Sequence, residues 1–317
     1  EPQHAAPPFV LEALTANLGG LSHYPVTKGS SELRQAIAAW ANRRFRLDKA
    51  ALDPERHVLP CAGTREALFS IAQAVIDRRA HSGQPVVIMP NPFYQIYEGA
   101  ALLAGARPYF LNTVADNHYR MDFTRVPEEV WQQVQLVYIC SPGNPTGTVL
   151  QHADLAHILE LAERHDFLIA SDECYSEIYF DEHNPPPGLL QVAHDLGIAD
   201  YRRCLVFHSL SKRSNLPGLR SGFVAGDGAV LEQYFQYRTY QGCALPPPTQ
   251  AASITAWEDE AHVRANRDQY RAKFDAVLEI LAPVMKVERP EASFYLWPET
   301  PQADETFTRE LYARENV

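Results

Sequence analysis

The sequence predicts an α/β fold: a mostly parallel sheet flanked by helices, followed by a smaller α+β domain. Two observations carry this expectation. Short apolar runs alternate with segments of helical period along most of the chain, the pattern of parallel β/α winding. Beyond about Gln250 the texture changes to long helix, with Ile254, Trp257, Val263 and Tyr270 on the apolar side.

The elements follow in order. Residues 33–45 read as an amphipathic helix, with Leu33, Ile37, Trp40, Ala41 and Phe45 on one face. Thr64 opens a second helix, with Leu68, Ile71, Ala72 and Val75 inward. Residues 85–90 make a short buried strand, 97–103 a helix, and Arg107–Asn112 the next strand. Residues 135–140, 167–171, 204–208 and 221–225 read as further strands, with a helix over 155–164. The late helix runs through 273–281 until Pro283 ends it. Residues 284–287 and 294–297 read as two strands of the second domain. Pro185–Pro187 reads as a rigid surface loop, and Pro246–Pro248 as the join between domains.

Composition narrows the function. Twenty-eight basic against 39 acidic residues leave a net charge of −11 and no basic stripe, so no nucleic acid is expected as a partner. An anionic ligand must therefore be held by local groups. No apolar run reaches membrane-spanning length, and no signal peptide opens the chain. The five cysteines are odd in number and none forms a C-x-x-C pair. That usage fits a reducing compartment, and a cytoplasmic protein is expected. No metal spacing such as H-E-x-x-H occurs, and no G-x-G-x-x-G follows a strand, which speaks against a dinucleotide-binding dehydrogenase.

The distinctive polar residues follow strand ends. Asn144, Asp172 and Lys212 lie just beyond three of them, where ligands collect in open α/β sheets. Lysine is scarce, and Lys212 alone follows a buried strand, among small hydroxyl residues in Ser209-Leu-Ser211-Lys212. An amine partly desolvated there is nucleophilic toward an aldehyde. Asp172 has two readings, a helix N-cap or a functional carboxylate. Gly63-Thr64-Arg65 has two as well, an ordinary helix cap or an anion site on a helix N-terminus.

Taken together these segments resemble the class I/II (fold type I) pyridoxal-phosphate-dependent aminotransferases. Ser209-Leu-Ser-Lys212 with Arg220-Ser-Gly222 resembles the family's S-x-S-K…R-x-G signature. Asp172-Glu-Cys-Tyr175 resembles its D-x-x-Y element, and Asn144-Pro-Thr-Gly147 its N-P-T-G turn. The resemblance implies the fold type I architecture and pyridoxal 5'-phosphate as cofactor, with Lys212 holding it as a Schiff base. It implies phosphate contacts from Ser209, Ser211 and Arg220, and from Gly63, Thr64 and Arg65. It implies Asp172 against the ring nitrogen, and Asn144 and Tyr175 on the ring's phenolic oxygen. Tyr94 in Asn91-Pro-Phe-Tyr94 would stack on the ring, with Phe93 as its rival. Tyr24 matches the tyrosine that in relatives reaches the neighbouring subunit's cofactor, implying a homodimer with shared active sites.

Lys212, Asp172 and Tyr175 are thus the expected catalytic residues, in a transamination between an amino acid and a 2-oxo acid. The texture around Ser209–Gly218, Tyr237–Cys243 and Trp257–Val263 is similar to the bacterial succinyldiaminopimelate transaminases of lysine biosynthesis. The implied pair is N-succinyl-LL-2,6-diaminopimelate and 2-oxoglutarate, with Arg213 and Arg238 as candidates for the extra substrate carboxylates; surface ion pairing is the other reading of both, and the favoured one for Arg238. A lyase on the same shell and a non-catalytic aminotransferase-like domain are the competing readings.

The expected divisions are 1–20, a remnant of an N-terminal arm, 21–248, the large cofactor-binding domain, and 249–317, a partial small domain. Both ends look cut, at Glu1-Pro2 and at Tyr312–Val317. The family's arginine for the substrate α-carboxylate falls beyond Trp297, in a segment matched by no residue here. The chain as it stands is expected to bind cofactor and to handle substrate poorly.

Overall fold

The structure is a computed structural model and describes residues 4–48, 51–79 and 83–316. Glu1, Pro2 and Lys49 lie outside the described residues. In chain order the elements are α1 (Pro8–Ala16), α2 (Ser31–Arg44), β1 (Val58–Cys61), α3 (Thr64–Val75), β2 (Val86–Asn91), α4 (Gln95–Ala104) and β3 (Arg107–Asn112). Next come α5 (Glu128–Trp131), β4 (Val134–Cys140), α6 (His152–His165), β5 (Leu168–Asp172), α7 (Leu189–Asp195), β6 (Cys204–Ser209) and α8 (Leu210–Arg213). Then β7 (Gly222–Gly226), α9 (Gly228–Gln241), α10 (Pro247–Glu258), α11 (Ala261–Leu281) and α12 (Asp304–Glu315) complete the described chain.

Seven strands form one sheet in the order β1-β7-β6-β5-β4-β2-β3. The pairs β3·β2, β2·β4, β4·β5 and β5·β6 are parallel, as the alternating sequence predicts. β7 departs from this and runs antiparallel to both β6 and β1. The reason is the connection: residues 210–221 hold one short helix and a turn, not a crossover helix, so the chain returns antiparallel. β1 carries no clear sequence signal, because it is four residues long and contains Pro60. It is an edge strand, where a proline is tolerated.

The helices cover both faces. Apolar side chains of α2, α6, α7 and α10 pack on one, around Trp40, Phe223 and Trp257. Those of α3, α4 and α9 pack on the other, around Leu68, Tyr97, Tyr138 and Tyr234. Central strands read as continuous apolar runs because both faces are covered: Ile88, Val137 and Ile169 have no exposed surface. Ser30 caps α2 by accepting the Leu33 N–H at 3.1 Å, so the helix starts two residues earlier than its apolar period suggests. Among the described residues no helix is long and apolar enough to cross a membrane.

The two late strands expected at 284–287 and 294–297 do not form ladders. The first makes one isolated bridge, Lys286 with Glu299, and the second none; a further bridge, Tyr179 with Ala292, lies just before it. The chain there is extended, but a lone extended pair without a third strand gains too little packing to build a sheet.

α11 is held to the segment after β5 by a charge cluster. Arg267 and Arg271 both bond Glu182, Arg267 through Nε at 2.7 Å. Arg44 bonds Glu177 on the same segment. Partial burial pushes the Glu182 carboxyl up, but hydrogen bonds and charge from the two arginines outweigh it and hold it down at about 2. A depressed acid contributes stability above its ordinary value of 4.5 that is lost as the pH falls toward about 2. Glu182→Gln is therefore expected to flatten the acid limb of stability in that window, read from urea midpoints against pH. An unchanged limb would show the cluster to be energetically idle.

Candidate active site

The sheet register brings distant segments to one edge. Gly222 pairs with Ser209 on one side and with Cys61 on the other. The residues that follow Cys61 and Ser209, and those that precede Gly222, therefore emerge together. These are Gly63-Thr64-Arg65, Ser211-Lys212 and Arg220. On the far side of β6, β5 ends at Asp172 and β4 at Cys140, pairing with each other. β2 ends at Asn91 just where the strand order reverses between β2 and β4.

A cavity of about 480 Å³ opens at this edge. Thr64, Arg65, Tyr94, Asn144, Asp172, Tyr175, Ser209, Ser211, Lys212 and Arg220 all line it, so ten sequence-predicted residues meet in one place. Phe93 does not; it leans on Phe110 at 5.0 Å between centroids. Tyr24 stands fully exposed and does not line this cavity. Cys174, Pro217 and Tyr295 line it too, although the sequence carried no signal for them. Two of these ride on neighbours with recognisable motifs, but Tyr295 arrives from 120 residues beyond Tyr175.

One end of the cavity is built for an anion. Gly63 caps α3 with φ +89°, and a Cβ there would overlap the Arg220 guanidinium. Only glycine fits both constraints. The Arg220 Nη1 donates to the Pro217 carbonyl at 2.9 Å, which fixes its fork beside the helix N-terminus. Ser209 Oγ lies 2.9 Å from Ser211 Oγ and accepts the Ser211 N–H at 3.1 Å. Hydroxyls, a guanidinium and helix-start N–H groups thus face one another.

The opposite end is acidic and dry. Asp172 is 5% exposed. Its Oδ2 accepts the Tyr97 hydroxyl at 2.7 Å and its Oδ1 the Cys174 N–H at 3.2 Å. The second bond is a local Asx turn, not a helix cap, because residues after Asp172 form turns. Burial pushes the Asp172 carboxyl up, while the donors on Cys174 and Tyr97 pull against it. A cation placed beside it would restore the charged form. Tyr97 itself stacks on Tyr138 at 4.6 Å, so its hydroxyl is aimed by packing. Glu173 faces away, within 3.1 Å of His208, as its alternation with Asp172 requires.

Between the ends, Lys212 sits on α8 with its Nζ 4.9 Å from the Phe294 ring centroid. Its carbonyl accepts from Asn266 on α11 at 3.2 Å. The Tyr175 hydroxyl lies 3.0 Å from that of Tyr295. Tyr94 Oη accepts from Arg65 Nε at 2.7 Å, which tethers the aromatic wall to the anion end.

The two arginines considered for substrate carboxylates serve the scaffold instead. Arg213 is 2% exposed, donates to the Ala256 carbonyl and Glu260 at 2.6 Å, and lies over Trp40 and Trp257. Arg238 has no exposed surface and bonds both Glu66 oxygens and the Cys243 carbonyl. A buried guanidinium needs such partners, and the terminal nitrogens of both are engaged away from the cavity.

The family model described as aminotransferase class I and II matches residues 1–317. The chain belongs to this family. Members are pyridoxal-phosphate-dependent, so the chain is a pyridoxal-phosphate-dependent aminotransferase with the fold type I architecture. A solved aminotransferase from Neisseria meningitidis Z2491 is 48% identical, with TM-score 0.92 over 98% of this chain and 78% of that one. An LL-diaminopimelate aminotransferase of Desulforudis audaxviator (strain MP104C) is 30% identical over 95% of this chain and 74% of that one. A probable N-succinyldiaminopimelate aminotransferase from Thermus thermophilus is 25% identical, with TM-score 0.87 over 98% and 82%.

The residues present fit the cofactor this family uses. The glycine that a Cβ would ruin, the fork of Arg220 and the serine pair suit a phosphate, and the buried carboxylate suits a protonated ring nitrogen. Gly63→Ala is expected to displace the Arg220 guanidinium and weaken pyridoxal phosphate binding by about tenfold or more, from strain at a positive φ plus the lost contact. Fluorescence titration of the cofactor-free protein measures it.

Proposed function

We propose that Lys212, Asp172 and Tyr175 are the catalytic residues, and that the enzyme transaminates N-succinyl-LL-2,6-diaminopimelate with 2-oxoglutarate. The observation that carries the site is one cavity lined by residues from six distant segments, an amine in its middle and opposite charges at its ends. Arg220, Ser209, Ser211, Gly63, Thr64 and Arg65 hold the phosphate, by charge and by N–H groups at the start of α3. Tyr94 packs against the ring. Asn144 and Tyr175 bond its phenolic oxygen.

Bound there, the cofactor supplies a ring that draws off the electrons left on the substrate's α-carbon when its proton is removed. Asp172 keeps a proton on the ring nitrogen through charge, in a dry setting that strengthens the pairing. Lys212 Nζ would take the proton from the substrate's α-carbon as base and return it, as acid, to the cofactor carbon that carries the amine. Phe294 beside it limits water around the amine. Much of the rate would come from positioning, since these residues would hold the phosphate and both edges of the ring at once.

The choice of donor is supported by names: the Desulforudis relative is named for LL-diaminopimelate, and one structural neighbour for the succinylated form. We also propose a homodimer, with Tyr24 meeting the partner's cofactor. Its support is the exposure of Tyr24 together with Leu21 and Val26, apolar side chains that a second copy would cover.

Borohydride reduction of the cofactor-loaded protein, followed by peptide mapping, is expected to put a phosphopyridoxyl group on Lys212. Label on Lys28, Lys273 or Lys286 would move the site. A panel of free and succinylated LL-diaminopimelate, aspartate and aromatic amino acids tests the donor. The succinylated compound is expected to give the highest kcat/KM, and a faster reaction with free diaminopimelate would transfer the assignment to it.

A further inference from the structure

Residues 290–295 lie across the two turns that bear Asn144 and Tyr175. The Ala292 N–H donates to the Gly147 carbonyl at 3.1 Å, and the Ser293 N–H to the Ile178 carbonyl at 2.8 Å. A Glu291 carboxylate oxygen accepts the Val149 N–H at 3.0 Å. Gly147 has φ +73°, and a Cβ there would collide with Pro290 and the Ala292 carbonyl. The close approach is therefore written into the N-P-T-G turn itself. Ala292 and Ser293 are fully buried, so the strap is anchored before its next two side chains turn toward the cavity.

Those side chains do different things. Phe294 stacks nearly parallel to Tyr270 at 5.8 Å and places its ring 4.9 Å from Lys212 Nζ. Tyr295 is partly buried, lines the cavity and brings its hydroxyl to 3.0 Å from that of Tyr175. A phenol has one proton to give. If Tyr175 gives its proton to the cofactor's phenolic oxygen, the contact with Tyr295 must be made with the proton of Tyr295.

We propose that Tyr295 is a positioning residue that donates to the Tyr175 oxygen, so that Tyr175 presents its own proton to the cofactor ring. The inference rests on the assignment of Tyr175 to that ring oxygen under the proposed function. A hydroxyl that accepts a hydrogen bond is a stronger donor in turn. Tyr175 thereby holds the ring oxygen more firmly in its charged form. That lowers the pH at which the bound cofactor's visible absorption band changes. A tyrosine packed only for its ring would leave that pH alone when its hydroxyl is removed.

The test is a pH titration of the visible absorption of the cofactor-loaded protein and its Y295F, Y175F and double variants. Y295F is expected to move the midpoint up by about half a pH unit, less than Y175F and in the same direction. The double variant is expected to move no further than Y175F alone, because Tyr295 acts only through Tyr175. An unmoved Y295F midpoint, or shifts that add in the double variant, would overturn the proposal. Tyr295→Leu, with the same expectation, stands in if Y295F does not fold. Borohydride labelling separates the failures. Label on Lys212 with an unmoved Y295F sinks the role of Tyr295 alone, and label elsewhere sinks the site and this role with it.

Discussion

The hydrogen-bond register that sets Cys61, Gly222 and Ser209 side by side is the constraint on which the site depends. It works only because β7 runs antiparallel between two strands that share a direction. Residues after β1, after β6 and before β7 then leave the sheet at one edge. A slip of one residue would turn Ser209 to the other face and pull Arg220 from Gly63. The register is in turn fixed by burial on both faces, since every residue of β6 and β7 is buried.

Around that edge the structure separates opposite charges. A guanidinium, hydroxyls and a helix start stand at one end of the cavity, and a desolvated carboxylate at the other. An amine lies between them. The separation suits a ligand with a phosphate at one end and a protonated heterocycle at the other. It also explains why a strongly acidic chain can bind an anion: the attraction is local and short in range. The surrounding ion pairs serve this arrangement indirectly. Arg238 steadies Glu66 on the first turn of α3, and Arg213 braces α8 against α10 and the start of α11. The sequence left both open between substrate-carboxylate binders and surface ion-pair residues, because an arginine's partners here come from up to 172 positions away.

The late segment shows the same limit. Residues 294–297 read as a strand, yet no ladder forms there, and the strap of residues 290–295 that crosses two turns delivers Tyr295. Nothing in local periodicity distinguishes an extended strap from a strand, since both keep the backbone extended. The difference lies in what pairs with it.

What the sequence alone determined was six of the seven strands of the sheet, its parallel centre, the family and ten of the cavity's side chains. Those are written in local patterns: apolar runs, glycine and proline turns, and motifs at strand ends. Only the tertiary structure decided the antiparallel course of β7, the edge strand β1, the burial of Arg213 and Arg238 and the arrival of Tyr97 and Tyr295. Each of these depends on contacts between segments far apart in the chain, whose geometry is set by packing and not by any spacing a reader can count.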